Sequence, residues 1–316
     1  MMVALPTRRC LAVMIVLPRY NWLRLLFVWH GSVLPRIVSR LAIVFALSLL
    51  SAVLDGWWLS QHADSALNVS IFTLMGVSLA IFLGFRNSAS YERFWEARKL
   101  WGGLLIVSRS LTGKLQPVAA PQVRPMLYAV CALTYALKGQ LRDDDTHPHL
   151  VRLLPADLAE QLRSGRNIPA RILGWLHAQN HQLLSDGHLT EQQWLSVDRN
   201  LDTLGEVIGG CERIRSTPIP FTYRVLLNRT VTGYCLLLPL GLVTTIGWLT
   251  PIIAVFIAYT YLALDSLGDE LEEPFGKEGN DLPLSALCYG IEQSVRDMLG
   301  EAMPIAPPPR QGIYQF

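Results

Sequence analysis

Val77, Ile81 and Phe85 stand four residues apart near the end of an uncharged apolar run, Leu67 to Phe85. In a helix that spacing puts all three on one face. Such side chains do no covalent chemistry. Repeated around an axis, they could line a narrow passage and expel its water, so that ions meet a desolvation barrier until the rings widen. They would serve equally well facing lipid or a neighbouring span, and spacing alone leaves both readings open. Other reactive types are sparse. His177 and His181 lie one helical turn apart, and Asp143 to His149 is a cluster of acids and histidines. Metal sites use histidines at that spacing, but no Glu adjoins His177 and the second cluster contains Pro148, so both read as solvated surface. No Gly-x-Ser-x-Gly, phosphate-loop or dinucleotide glycine pattern occurs. Cys10, Cys131, Cys211, Cys235 and Cys288 are scattered without metal or disulfide spacing and read as buried thiols.

The elements that would position the apolar face are membrane helices. The 316 residues are 51% hydrophobic and 16% charged, against about 25% charged in soluble domains. Four segments can cross a bilayer: Leu41 to Trp58, Leu67 to Phe85, Thr232 to Leu249 and Pro251 to Leu267. Thr250-Pro251 leaves room only for a tight turn between the last two. Arg19, Arg24, Arg36 and Arg40 precede the first segment, Arg86, Arg93, Arg98 and Lys99 follow the second, and Arg213, Arg215, Arg224 and Arg229 precede the third. Leu59–Ala66 has no Lys or Arg. The positive-inside rule therefore places both termini in the cytoplasm. A net charge of +2 without a basic run gives no nucleic-acid signal.

About 145 residues separate the second and third spans, by subtraction of their ends, and they carry helical patterning. Helices are predicted at Tyr91 to Leu115, either separate from the second span or continuous with it, then at Leu127 to Leu141, Pro155 to Arg163, Pro169 to Leu184 and Thr190 to Arg213. Thr190 with Gln193 forms a capping-box pattern. The fold class is all-α. Its parts are an extension over 1–13, spans one and two with flanking helices over 14–115, a cytoplasmic helical region over 116–219, and spans three and four over 220–267. A cytoplasmic segment with a terminal helix occupies 268–301 and an extended Pro-rich tail 302–316. Met14 is a plausible true start, and the apolar stretch after Arg8-Arg9 lacks a signal peptide's small-residue cleavage site.

Three separated segments point to one family: Phe82-Leu-Gly-Phe-Arg-Asn-Ser-Ala-Ser-Tyr-Glu-Arg-Phe-Trp-Glu-Ala-Arg98, Pro218-Ile-Pro-Phe-Thr-Tyr223, and Glu272-Glu-Pro-Phe-Gly-Lys-Glu-Gly-Asn-Asp-Leu-Pro-Leu284. Together with Asn21-Trp-Leu-Arg-Leu-Leu-Phe-Val-Trp-His-Gly-Ser32, this set resembles the bestrophin family, its bacterial branch in particular. The resemblance runs from about Met14 to about Glu301 and rests on Gly84, Arg86, Asn87, Tyr91, Arg93, Trp95, Pro220, Pro274, Phe275 and Gly276 as structural motif positions.

What the resemblance implies is a homopentameric channel with a single pore on the five-fold axis. Its membrane neck falls on Val77, Ile81 and Phe85, and Leu195 lies near its cytoplasmic aperture. The partners implied are the lipid bilayer, further copies of the chain and permeant monovalent ions, with no cofactor and no nucleic acid. Eukaryotic members follow Pro-Phe-Gly with a run of calcium-binding acids; here Lys277 and Gly279 interrupt it, leaving Glu278 and Asp281 as vestigial candidates and predicting no metal site. Small residues at Gly76, Ser78, Ala80 and Gly84 suit close helix packing, and Phe275 is expected to dock against a neighbouring subunit. With Asp64 on the outer loop, the ion preference leans towards cations such as sodium, with chloride the alternative. A secondary transporter would want a charge at mid-span or an inverted repeat, and a membrane-anchored scaffold or enzyme a polar cleft; the sequence offers neither.

Overall fold

The computed structural model describes residues 14–15, 23, 28–29, 31–58, 69–163, 165–308, 310–311 and 314–315. The extension 1–13, most of the Asn21–Ser32 segment and the outer loop with Asp64 lie outside them. The architecture is all-helical apart from three two-residue strands near the chain ends.

Helix α1 spans Leu34–Trp58 and begins seven residues before the predicted Leu41. The extra turns are tolerated because their charges find partners: Arg36 lies 2.7 Å from Glu270, and Arg40 lies 4.0 Å from Asp265. Helix α2 runs unbroken over Val69–Leu115, 47 residues, joining the predicted second span to the predicted helix beyond it. It contains no proline, and its glycines weaken a helix without breaking it.

Helices α3 (Val123–Arg142), α4 (His147–Leu153), α5 (Ala156–Leu162), α6 (Ile168–Ser185) and α7 (Glu191–Ser216) follow. Thr190 caps α7 in the predicted capping box with Gln193. Helix α4 was not among the predicted helices; Pro148 sits in its first turn, where no amide bond is lost. Helices α8 (Phe221–Ile246) and α9 (Thr250–Glu272) flank a single 3₁₀ turn, Gly247–Leu249. The reversal falls there, just before the predicted Thr250-Pro251, because Gly247 adopts φ 51° while Pro251 starts the next helix. Helix α10 covers Leu284–Leu299.

The chain divides into two compact units. One comprises Arg19–Phe94 and Pro218–Glu273. Here α1, α8 and α9 pack on one another, and the core takes Phe72, Leu79 and Leu83 from α2 together with Val44, Leu238 and Ala258. By length and composition, Leu34–Leu54, Ser70–Leu115 and the α8–α9 stretch Phe221–Glu272 can each cross a membrane.

The other unit comprises Met1–Pro18, Trp95–Thr217 and Pro274–Phe316. Helix α3 is its centre, packed by α4, α6, α7 and α10, and is buried almost all round. Cys131 and Cys288 are fully buried there, as predicted, and burial pushes the Cys288 thiol up to about 12. The strands β1 (Met14–Ile15), β2 (Arg310–Gln311) and β3 (Tyr314–Gln315) form an antiparallel sheet of order β1-β3-β2. Met14 opposes Gln315 and Gln311 opposes Tyr314, so the predicted extended tail pairs with the chain's beginning.

Candidate functional site

Helix α2 carries one buried stripe along its first half: Phe72, Gly76, Leu79, Leu83, Arg86 and Ser90. Their spacing averages 3.6 residues, one helical turn. At about 100° per residue, Val77, Ile81 and Phe85 are centred about 180° from that stripe. They are 55%, 53% and 67% exposed in the single chain. The Arg86 ion pairs lie on the stripe side, whereas the face from Val77 to Phe85 is apolar and exposed.

Arg86 sets that orientation. It follows Phe85 directly, yet its side chain is fully buried. Its guanidinium lies 2.7 Å from Asp265 and 3.6 Å from Glu272, and it also bonds Asp269. Asn228 donates to Asp265, and Arg224 lies 3.2 Å from Asp269. Asp265, Asp269 and Glu272 fall at i, i+4 and i+7 on α9, one helical face. An unpaired guanidinium could not be buried at tolerable cost; three acids and two further arginines make it possible. None of these three acids was among the expected site residues. Their signal was available in that spacing beside a lone arginine ending an apolar run. Gly268 lets the helices meet here: a Cβ would come within 2.7 Å of Asn87 Oδ1 and 3.4 Å of Arg86 Cζ.

The remaining motif residues divide by unit. Arg93 donates to the Glu272 carbonyl at 3.3 Å, locking α2 to the end of α9. Pro220 is the N-cap of α8. Tyr91 and Trp95 are exposed, and the Arg98 guanidinium stacks 5.3 Å from the Trp95 ring. Of the small residues, Gly76 packs within the chain, its Cβ position 2.8 Å from Tyr234 Oη, whereas Ser78, Ala80 and Gly84 are exposed. Leu195 is 43% exposed on α7.

The Pro-Phe-Gly segment is closed from inside. Buried Arg142 donates to the Phe275 carbonyl at 3.1 Å and to the Leu282 carbonyl at 2.7 Å, and Leu282 N–H bonds the Pro274 carbonyl. Asp281 accepts the Glu278 amide at 2.7 Å, and Lys277 lies 2.6 Å from Asp144. Arg142 thus takes two of the segment's carbonyl oxygens, and Asp281, one of the two candidate calcium ligands, is turned onto the segment's own backbone. Phe275 is 5% exposed within its own chain, which differs from the expected docking onto a neighbour: its own unit already buries it.

The histidine and acid clusters lie at or near the surface and make local contacts. His177 Nδ1 lies 2.9 Å from Asp198, Asp143 pairs with Arg215 at 2.6 Å, and His149 stacks on Tyr135 at 4.1 Å. Among the described residues no group of three or more His, Cys, Asp or Glu could hold a metal. Sequence reasoning also missed Glu292, fully buried on α10, which accepts from Tyr135 at 3.0 Å, from Arg152 at 2.7 Å and from Arg296 at 2.9 Å.

These features define a helical membrane protein whose long second helix turns an apolar face outward from a charge-locked bundle. A family model described as Bacterial/Fungal Bestrophin protein matches residues 14–297. A voltage-dependent anion channel-forming protein of Ralstonia nicotianae is 44% identical over 293 residues, covering 91% of this chain and 95% of that protein. A protein of the same description from Escherichia coli is 40% identical over 295 residues, covering 92% and 95%. The crystal structure of a bacterial bestrophin homolog from Klebsiella pneumoniae matches with TM-score 0.80 at 41% identity, covering 84% of this chain and 100% of that one. The chain belongs to the bestrophin family.

Proposed function

We propose that the chain assembles as a homopentameric channel of a bacterial inner membrane, with four spans and both termini in the cytoplasm. Small monovalent ions pass through a neck lined by Val77, Ile81 and Phe85. The observation that carries this reading is the exposed apolar face of α2, diametrically opposite a buried stripe that ends in the Arg86 ion-pair network. Five copies would stack three apolar rings over about 12 Å of axis, from a rise of 1.5 Å per residue. Rings of that kind gate by wetting and drying and do not choose the sign of the ion. The bestrophin membership and the relatives described as channel-forming support ion passage rather than catalysis. Leu195, exposed on α7, is the candidate for a second, cytoplasmic constriction.

The test is purified protein in planar bilayers. Replacing Val77, Ile81 and Phe85 together by alanine widens and hydrates the neck, and single-channel conductance or open probability should rise. Unchanged currents from variants that assemble normally would remove the neck from these residues.

A further inference from the structure

We propose that Glu92 supplies the charge selectivity that the apolar neck lacks, as a ring of free carboxylates just beyond it that favours cations over anions. The inference rests on the pore reading above and deepens it. Glu92 lies seven residues after Phe85 on the same unbroken helix, which is two turns and about 10 Å further along the axis. Seven residues return the helix to within about 20° of the same face. The side chains of that face, opposite the buried stripe, therefore continue from Val77, Ile81 and Phe85 to Glu92, which is itself exposed.

The pairing of its neighbours singles it out. Between Glu92 and Lys99 the helix carries five charged side chains. Arg93 is turned to the Glu272 carbonyl, Glu96 pairs with Arg213, and Arg98 lies over the Trp95 ring. Glu92 and Lys99 make no side-chain hydrogen bond or ion pair among the described residues. Behind the face, Asp265, Asp269 and Glu272 are matched by Arg86 and Arg224, with Arg40 alongside. What α2 presents to the proposed axis next to the neck is thus the Glu92 carboxylate, which has no side-chain partner among the described residues. Lys99 follows seven residues later, about 20 Å from Phe85 along the helix. Screening falls off over a Debye length of about 8 Å at physiological ionic strength, so Lys99, twice as far from Phe85 as Glu92, acts more weakly at the neck. Like charges around a narrow passage concentrate counter-ions there by 10-fold or more.

The experiment measures reversal potentials in asymmetric sodium chloride for the parent, Glu92→Gln, Glu92→Asp and Glu92→Lys, with the triple-alanine neck variant recorded alongside. The cation-to-anion permeability ratio should fall about tenfold in Glu92→Gln, the lower end of that enrichment. It should invert in Glu92→Lys and stay near parental in Glu92→Asp. A merely structural glutamate would change expression or conductance without moving the reversal potential. If the neck variant conducts more but the glutamine and lysine variants keep the parental ratio, the selectivity role is overturned and the pore reading stands. If the neck variant behaves as the parent, the pore reading falls and this inference falls with it.

Discussion

Arg86 carries more of this structure than any residue of the proposed neck does. A buried guanidinium facing Asp265, Asp269 and Glu272 is stable only as a set, because each charge compensates the desolvation of another. Arg86→Ala leaves Asp265 and Glu272 buried without their main partner, at a cost of about 3–5 kcal/mol. The expected outcome is a marked drop in the thermal unfolding midpoint of the detergent-solubilised protein. Arg86→Lys should recover only part of it, since one ammonium cannot fork to several carboxylates as a guanidinium does. Equal midpoints for Arg86→Ala and the parent would show that the network is worth little. Composition gives no hint of this set, which unites residues nearly 180 positions apart; the i, i+4, i+7 acids on α9 were the local trace of it.

At the scale of elements, the sequence predicted what local rules control. Thr190 and Gln193 marked the start of α7, and the apolar runs marked α1, α2, α8 and α9, because caps and hydropathy act within a few residues. Helix α4 escaped, since the seven residues behind Asp143-Asp-Asp-Thr146 carry too little periodicity to outweigh the proline among them. The apolar face of α2 was legible from spacing, but its opposition to a buried stripe needed the partners of Phe72, Leu79 and Leu83. The same limit hid Glu292, which joins α10 to α3 and α4. Burial works to raise the pKa of Glu292, but hydrogen bonds from Arg152 and Arg296 outweigh it and hold the carboxyl below the ordinary 4.5. A depressed carboxyl stabilises the fold above its unfolded pKa, and that contribution is lost as pH falls through the folded value. Unfolding midpoints recorded from about pH 6 to about pH 3 should therefore decline more steeply for the parent than for Glu292→Gln. Parallel profiles would mean that Glu292 is not ionised in the folded protein.

For the whole molecule, the uncovered surface says what kind of assembly fits. Only 22% to 28% of the residues in the most apolar windows of the membrane-length helices are buried inside one chain. Lipid could cover the rest as well as protein could, so exposure alone decides nothing. The asymmetry of α2 is more telling. To one side of the Val77–Phe85 face stand Ile71, Met75 and Phe82, and to the other Thr73, Ala80 and Gly84, all exposed. A bulky flank and a small flank complement each other head to tail, and head-to-tail contacts close into rings, whereas a two-fold dimer would pair like with like. Gly84 gives a clean test, because a Cβ there meets nothing within 4 Å in its own chain. Gly84→Leu should leave the single chain intact and even favour the helix by about 1 kcal/mol. It should nevertheless displace the neighbour's bulky flank, so that electron-microscopy class averages lose the five-fold ring proposed for the parent and gentle detergent chromatography shows smaller species. Gly76→Leu, crowding Tyr234 and Tyr261 inside the chain, should instead lower folded yield at every oligomeric size. An intact five-fold ring in Gly84→Leu would place the contact between copies elsewhere than the flanks of α2, and a parent without rotational symmetry would remove the pore altogether.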